Sequence, residues 1–188
     1  LSYMVSQAFT EGFYIKPRID MELLRQHSEG LIALSACLAG EIPRRLVNGD
    51  YDGAKEYALT MRDIFGEDSF YLELQDHGIA DQTEVNRQLL RLHTETDIPL
   101  VCTNDAHYLR REDAESHDVL LCIQTGKTVD DANRMRYEPQ NFYLRSTEEM
   151  EALFAGYPEA VANTQRIADM CQLEFTFGKY HLPEFQLP

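Results

Sequence analysis

Two side chains that can bind metals stand two positions apart near the middle of the chain. Asp105 and His107 follow the apolar run Leu100–Cys102, which comes directly after Pro99. This pattern predicts a short buried strand that ends in polar residues. While a chain stays extended, residues i and i+2 point to the same side, so a carboxylate and an imidazole would face one space. This mixed oxygen and nitrogen pair suits zinc, manganese or iron.

The same pair also has a simpler interpretation. Asp is a common helix cap, and a lone His is often exposed or hydrogen-bonded within a core. Taken alone, Asp105 and His107 favour this structural interpretation over a metal site. The rest of the chain has to decide between the two.

Further polar residues follow two other predicted strands. Cys37 ends an apolar run that begins at residue 31, and residues 73–77 close the next run. Carboxyl ends of parallel strands meet at one edge, where α/β proteins hold their active sites. Cys, Asp and His together are typical metal ligands, although Cys37 could equally be a buried core residue and Asp76 could cap its own turn.

Strands and helices alternate through the middle of the sequence. Apolar runs predict strands at 31–37, at 70–75 and within 99–108. Apolar stripes predict helices over about 51–65, 82–96 and 112–124, the last with Ala114, Val119, Leu120 and Ile123 on its apolar side. This alternation predicts a parallel α/β sheet or barrel with right-handed crossovers.

Capping residues predict the flanking elements. Asp20, Asp50, Ser146 and Pro158 are expected to start helices, and Ser146 has a capping-box Glu three residues later. The remaining segments are a helix over 1–12, an extended stretch over 13–19, a loop over 127–141, a short strand over 142–144 and an extended tail over 175–188. The tail, rich in aromatic residues and prolines, is expected to pack on another domain.

Composition restricts the partners and the compartment. The 188 residues carry a net charge of -15, which disfavours direct binding to DNA or RNA because such affinity rests on Lys and Arg. Four widely spaced cysteines in apolar surroundings fit a reducing cytoplasm with buried thiols. No apolar run has membrane-spanning length, and no signal peptide is recognisable. The first residues already have a helical pattern, which suggests that the sequence comes from a longer protein.

Several familiar catalytic motifs do not occur. Gly126, Lys127 and Thr128 resemble part of a phosphate-binding loop, but the segment follows a predicted helix and the upstream glycine is missing. The sequence contains no G-x-S-x-G, G-x-G-x-x-G or H-E-x-x-H motif. The polar edge therefore remains the candidate site.

Five sequence strings resemble one protein family in the same order. They are LIALSACLAGEIP at 31–43, FYLELQDHG at 70–78, TNDAHY at 103–108, DVLLCIQTGK at 118–127 and FGKYHLP at 177–183. All five resemble the polymerase-and-histidinol-phosphatase (PHP) domain of bacterial replicative DNA polymerase III alpha subunits. The strings are long and specific, and the similarity covers essentially the whole chain.

The resemblance implies both a fold and a metal site. It implies part of an irregular (β/α)7-type barrel over 1–126, and over 127–188 the end of the PHP domain with a helical connector toward the polymerase palm. Cys37, Asp105 and His107 match metal-binding positions of the family, where Zn²⁺ or Mn²⁺ is expected. Neither the family's N-terminal His-x-His nor its palm aspartates, which work with Mg²⁺, have a match here.

Three functions follow as alternatives. The chain is interpreted first as a piece of a replicative DNA polymerase, with a phosphoesterase, exonuclease-type or structural PHP site and little activity of its own. The second alternative is a free-standing metal-dependent phosphoesterase, which the polymerase-type tail disfavours. The third is a non-catalytic scaffold that docks a proofreading subunit. Expected partners are the rest of the alpha subunit, other replicase subunits and, through the parent protein, DNA.

Overall fold

A three-stranded parallel sheet lies at the centre of the protein. This computed structural model describes residues 1–180 and 182. The sheet has the order β3-β4-β5, formed by Ala33–Leu34, Phe70–Leu74 and Leu100–Cys102. A separate antiparallel hairpin pairs β1 (Phe13–Tyr14) with β2 (Lys16–Pro17). The helices are α1 Ser2–Thr10, α2 Met21–Gln26, α3 Glu41–Val47, α4 Tyr51–Phe65, α5 Ala80–Thr96, α6 Ala114–Thr125, α7 Thr147–Leu153 and α8 Pro158–Met170.

The capping residues start helices where the sequence predicts them. Asp20 accepts a hydrogen bond from the backbone N–H of Leu23, and Asp50 accepts one from Gly53. Ser146 and Glu149 form a reciprocal capping box at the start of α7. Pro158 occupies the first turn of α8, where its missing N–H costs nothing. These local signals fix the helix starts because each needs only neighbouring residues.

The core lies between the sheet and four helices. Alternate residues of β4, namely Phe70, Leu72 and Leu74, pack in a buried cluster with side chains of α3, α4, α5, β5 and α8. Leu89 and Leu92 of α5 are almost completely buried there. The buried side chain of Asn163 on α8 donates a hydrogen bond to the carbonyl of Leu100 at 2.7 Å. Helix α8 is therefore held directly against β5.

Three sequence predictions need correction. The first central strand is much shorter than 31–37, and its two paired residues are only half-buried. Helix α3 is not among the predicted helices; its Pro43 lies in the first turn, where a proline is tolerated. On α6, Val119, Leu120 and Ile123 are exposed, so this apolar stripe faces away from the core.

The predicted loop is confirmed, and the predicted burial of the cysteines is met in part. Residues 127–141 contain no helix or strand, and their Arg134 pairs with both carboxylate oxygens of Asp118 on α6 at 2.5 Å. Cys102 and Cys122 are buried as expected, whereas Cys37 is half-buried and Cys171 is exposed. Residues 175–180 have no regular secondary structure, and 181 and 183–188 of the predicted tail lie outside the described residues. Within the described part, no helix is long and apolar enough to span a bilayer.

A surface ion cluster ties α4 to α5 and predicts an acid sensitivity. Glu95 accepts hydrogen bonds from Lys55 at 2.8 Å and Arg91 at 2.7 Å, which lowers its pKa from 4.5 to about 2. Because the folded-state pKa is depressed, the stabilisation is present above pH 4.5 and is lost as the pH falls toward 2. Glu95→Gln should flatten the pH dependence of the unfolding free energy in this window, measured by urea titration. An unchanged profile would contradict this.

Candidate functional site

Asp105 and His107 lie side by side just beyond β5. The Nε2 atom of His107 is 3.5 Å from Oδ1 of Asp105, and the side chains are 31% and 35% exposed. Asp105 has a positive φ of 45°, a conformation that costs energy for a residue other than glycine. The backbone N–H of His107 donates to the carbonyl of Phe142 at 2.7 Å. The structure thus brings together two of the three predicted ligands in a firmly held turn.

Cys37 lies in a tight loop after β3. The preceding Ala36 has a φ of 65°, again in the left-handed region. The N–H of Gly40 donates to the carbonyl of Cys37 at 2.8 Å, and a Cβ on Gly40 would lie only 2.4 Å from the carbonyl oxygen of Ser35. Glycine is therefore required for this loop to close. Since β3 and β5 both run parallel to β4, Cys37 leaves the sheet at the same end as Asp105.

His77 is a fully buried histidine that supports the Asp105 turn. Its Nε2–H donates to the carbonyl of Asn104 at 2.7 Å, and its Nδ1 accepts from Nε2 of Gln82 at 3.0 Å. The ring also stacks on Phe142 at a centroid distance of 4.2 Å. His77 therefore acts as a structural support for the residue that precedes Asp105.

Aromatic rings surround the other side of His107. Tyr137 lies 4.5 Å from the His107 ring centroid, Phe142 lies 5.5 Å away and His117 lies 5.7 Å away. His117 is half-buried here. Burial, followed by the charge that His107 carries when protonated, lowers the pKa of His117. The rings restrict the orientations that His107 can adopt.

The side chains of Asp105 and His107 are of types that bind metals, but two side chains are too few for a complete metal site. Among residues 1–180 and 182, no group of three or more His, Cys, Asp or Glu side chains is placed to hold one metal ion. The structure therefore groups Asp105 with His107 and does not add Cys37 to them. A carboxylate and an imidazole are suitable ligands, yet a protein metal site takes at least three. A metal bound by Asp105 and His107 would therefore need further donors.

Sequence patterns placed His77 at this edge without revealing its role, and they did not reveal His117. The role of His77 depends on hydrogen bonds with Gln82 and Asn104, which belong to different parts of the fold. No local sequence pattern marks such a group of three residues. His117 is ten positions from His107 and meets it only because α6 folds back. For His117 the only signal was the residue type.

Comparison with known proteins gives similarities to a PHP domain and to DNA polymerase III alpha subunits. The PHP domain pattern matches residues 1–77, which include Cys37 but not Asp105 or His107. The chain is 46% identical over its full 188 residues to DNA polymerase III subunit alpha of Treponema pallidum. The chain is thus similar, along its whole length, to one segment of DNA polymerase III alpha subunits. Its identity to the Thermus aquaticus alpha subunit is 43% over 194 aligned positions, and to that of Deinococcus radiodurans 39% over 194.

These alpha subunits are much longer than the chain. The matches use 98–100% of this sequence but only 16% of the T. pallidum and T. aquaticus proteins and 14% of the D. radiodurans protein. The similarity is therefore to one segment of these alpha subunits, and the PHP domain match lies within the same residues of this chain. The prediction made from the five sequence strings is confirmed at this level.

The buried position of His77 gives a testable result. His77→Phe keeps a ring to stack on Phe142 but leaves the Asn104 carbonyl and the Gln82 amide without their partner. We expect the free energy of unfolding to fall by about 1–3 kcal/mol, as measured by chemical denaturation. His27→Phe, at an exposed position, is the control and should cost less than about 0.5 kcal/mol. Equal effects at both positions would argue against the support role.

Proposed function

We propose that this chain is part of the PHP domain of a bacterial replicative DNA polymerase. The observation that carries the proposal is the 46% identity to a DNA polymerase III alpha subunit along the entire chain. The longer polypeptide would perform DNA-directed DNA synthesis with Mg²⁺, through palm aspartates that have no match in these residues. This chain would not catalyse nucleotide transfer. With its net charge of -15, it would not bind DNA directly.

Within the polymerase, Cys37, Asp105 and His107 are the proposed metal ligands. The 3.5 Å approach of Asp105 to His107 supports the proposal, as does the common sheet edge from which Cys37 leaves. PHP domains are generally associated with metals, and Zn²⁺ or Mn²⁺ suits a thiolate, carboxylate and imidazole set. Such a metal would supply an activated water for phosphoester hydrolysis of the exonuclease type. The missing donors are assigned to other residues of the alpha subunit.

A non-catalytic role is the second candidate, and a specific observation favours it. No complete metal-ligand group exists within the described part of the chain, while α6 presents an exposed apolar stripe at Val119, Leu120 and Ile123. A segment of this kind would act as a scaffold within the alpha subunit and dock other replicase subunits, a proofreading exonuclease among them. A free-standing phosphoesterase is not favoured, because the whole chain matches polymerases.

The proposal extends to fold and location. The parallel β3-β4-β5 sheet with its helices is consistent with part of a (β/α)7-type barrel, and the remaining strands would come from outside the chain. Residues 1–126 are proposed as barrel and 127–188 as the end of the PHP domain with the connector. A replicative polymerase works in the cytoplasm, and the absence of disulfides among the described cysteines is compatible with that location.

A primer-extension assay tests whether the full-length alpha subunit polymerises DNA and this chain alone does not. Full-length alpha subunit with Mg²⁺, primed template and nucleotides should extend the primer, whereas the 188-residue chain should give no template-dependent product at equal concentration. The reason is that nucleotide transfer needs metal-binding palm carboxylates, which this chain lacks. Extension by the short chain would refute the proposal. So would a full-length protein that binds the primer but never extends it.

A further inference from the structure

Glu73 lies on the middle strand of the sheet and reaches both of its neighbours. Its Oε2 atom accepts a hydrogen bond from the backbone N–H of Ala36 at 3.0 Å, in the loop after β3. Its Oε1 atom accepts one from the hydroxyl of Thr103, directly after β5. Gln75 donates to both Glu73 and Thr103 at 3.0 Å. One carboxylate thus links the two loops that leave the sheet on either side of β4.

The linked loops are those that carry the candidate ligands. Ala36 directly precedes Cys37, and Thr103 precedes Asp105 by two residues and His107 by four. Each loop contains a non-glycine residue with positive φ, Ala36 at 65° and Asp105 at 45°. Such conformations persist only where surrounding contacts hold them. For Ala36 the contact that holds the strained residue is the Glu73 carboxylate itself.

The hydrogen-bond pattern assigns Glu73 a role distinct from that of a ligand. Both carboxylate oxygens already accept hydrogen bonds from protein donors, and the backbone N–H of Glu73 donates to Ser35 Oγ at 2.8 Å. The side chain is therefore directed at the two loops. We propose that Glu73 is a positioning residue that fixes the Cys37 loop relative to the Asp105–His107 turn. Its consequence for metal binding rests on the metal site proposed above.

The test uses the full-length alpha subunit that contains this sequence. Glu73→Gln keeps the shape of the side chain but removes the charge and one acceptor. Hydrogen exchange of metal-free protein, followed by mass spectrometry, is measured in peptides covering 35–38 and 103–107. We expect the Ala36 amide to exchange roughly tenfold faster or more, because the uncharged amide that replaces the carboxylate offers one acceptor oxygen instead of two, and that oxygen is a weaker acceptor. Zinc affinity, measured by competition with a chelating dye, should fall roughly 10–100-fold.

A matched control separates positioning from stability. Glu95→Gln makes the same change in a carboxylate that also accepts two side-chain hydrogen bonds, but between α4 and α5. It should leave both peptides and the zinc affinity unchanged. Unchanged exchange in Glu73→Gln, or an equal effect of Glu95→Gln, would overturn the proposal. If the wild-type protein binds no zinc, the proposed metal site fails, and the exchange data alone decide on Glu73.

A second pair of variants applies if Glu73→Gln does not fold. Thr103→Val removes the hydroxyl that Glu73 binds, and Thr103→Ser restores it. Thr103→Val should accelerate exchange in the 103–107 peptide, and Thr103→Ser should return it to the wild-type rate. If serine and valine behave alike, the hydroxyl contact does not position the turn and the proposal fails.

Discussion

Replacing Leu89 by alanine is expected to lower the free energy of unfolding by about 2–5 kcal/mol. The Leu89 side chain is 1% exposed and lies in the cluster formed by α5, the sheet and the neighbouring helices. Truncation removes buried apolar atoms and leaves a cavity that the surrounding helices and sheet can only partly close. Urea denaturation of the 188-residue chain, followed by circular dichroism, gives the value. A loss below 1 kcal/mol would show that α5 is not packed as described.

Leu120 provides a matched control with the same substitution. Its side chain is 60% exposed on α6, so Leu120→Ala should change the free energy of unfolding by less than about 0.5 kcal/mol. If both substitutions cost the same, the apolar stripe of α6 would belong to the core. The pair therefore also tests the correction made for Val119, Leu120 and Ile123.

The second large effect concerns metal retention. After dialysis, the 188-residue chain should hold zinc or manganese weakly or not at all, because its described residues group only two ligands. The full-length alpha subunit should hold metal, and His107→Ala or Asp105→Asn should reduce it. Loss of supporting residues alone costs ~10–100-fold in affinity, and loss of a ligand should cost more. Elemental analysis of each protein gives the metal-to-protein ratio.

Two further variants make the metal experiment specific. Asp76→Asn alters a carboxylate that accepts a hydrogen bond from the N–H of Gly78, and His27→Ala alters an exposed imidazole that lies against Tyr3. Neither should change the amount of bound metal. Stoichiometric metal in the short chain, or full retention in His107→Ala, would mean that the ligands lie elsewhere.

Local signals made much of the fold predictable. Asp50 and Pro158 start helices through contacts with residues only a few positions away, so the sequence alone is sufficient to place them. For the apolar stripe on α6, such local signals were not sufficient to predict burial. Periodicity identifies an apolar face but not the surface it meets, and the exposure of Leu120 depends on how the whole chain packs.

The candidate site was predictable to the extent that it follows strand alternation. Asp105 and His107 are neighbours because they leave the same strand, and the i, i+2 spacing is visible in the sequence. The contributions of Glu73 and His77 were not predictable, because their partners come from other elements. Glu73 links loops about 30 residues away on each side, a relation that only the folded sheet creates.

The contact between Asn163 and Leu100 has a consequence for synthesis on the ribosome. The two residues are 63 positions apart, so β5 is made well before the side chain that caps its Leu100 carbonyl. At about 5–20 residues per second, the outer edge of the new sheet stays uncovered for roughly 3–13 seconds. During that interval unpaired strand groups can join other nascent chains. The timing of α8 synthesis therefore controls when this segment ceases to be prone to aggregation.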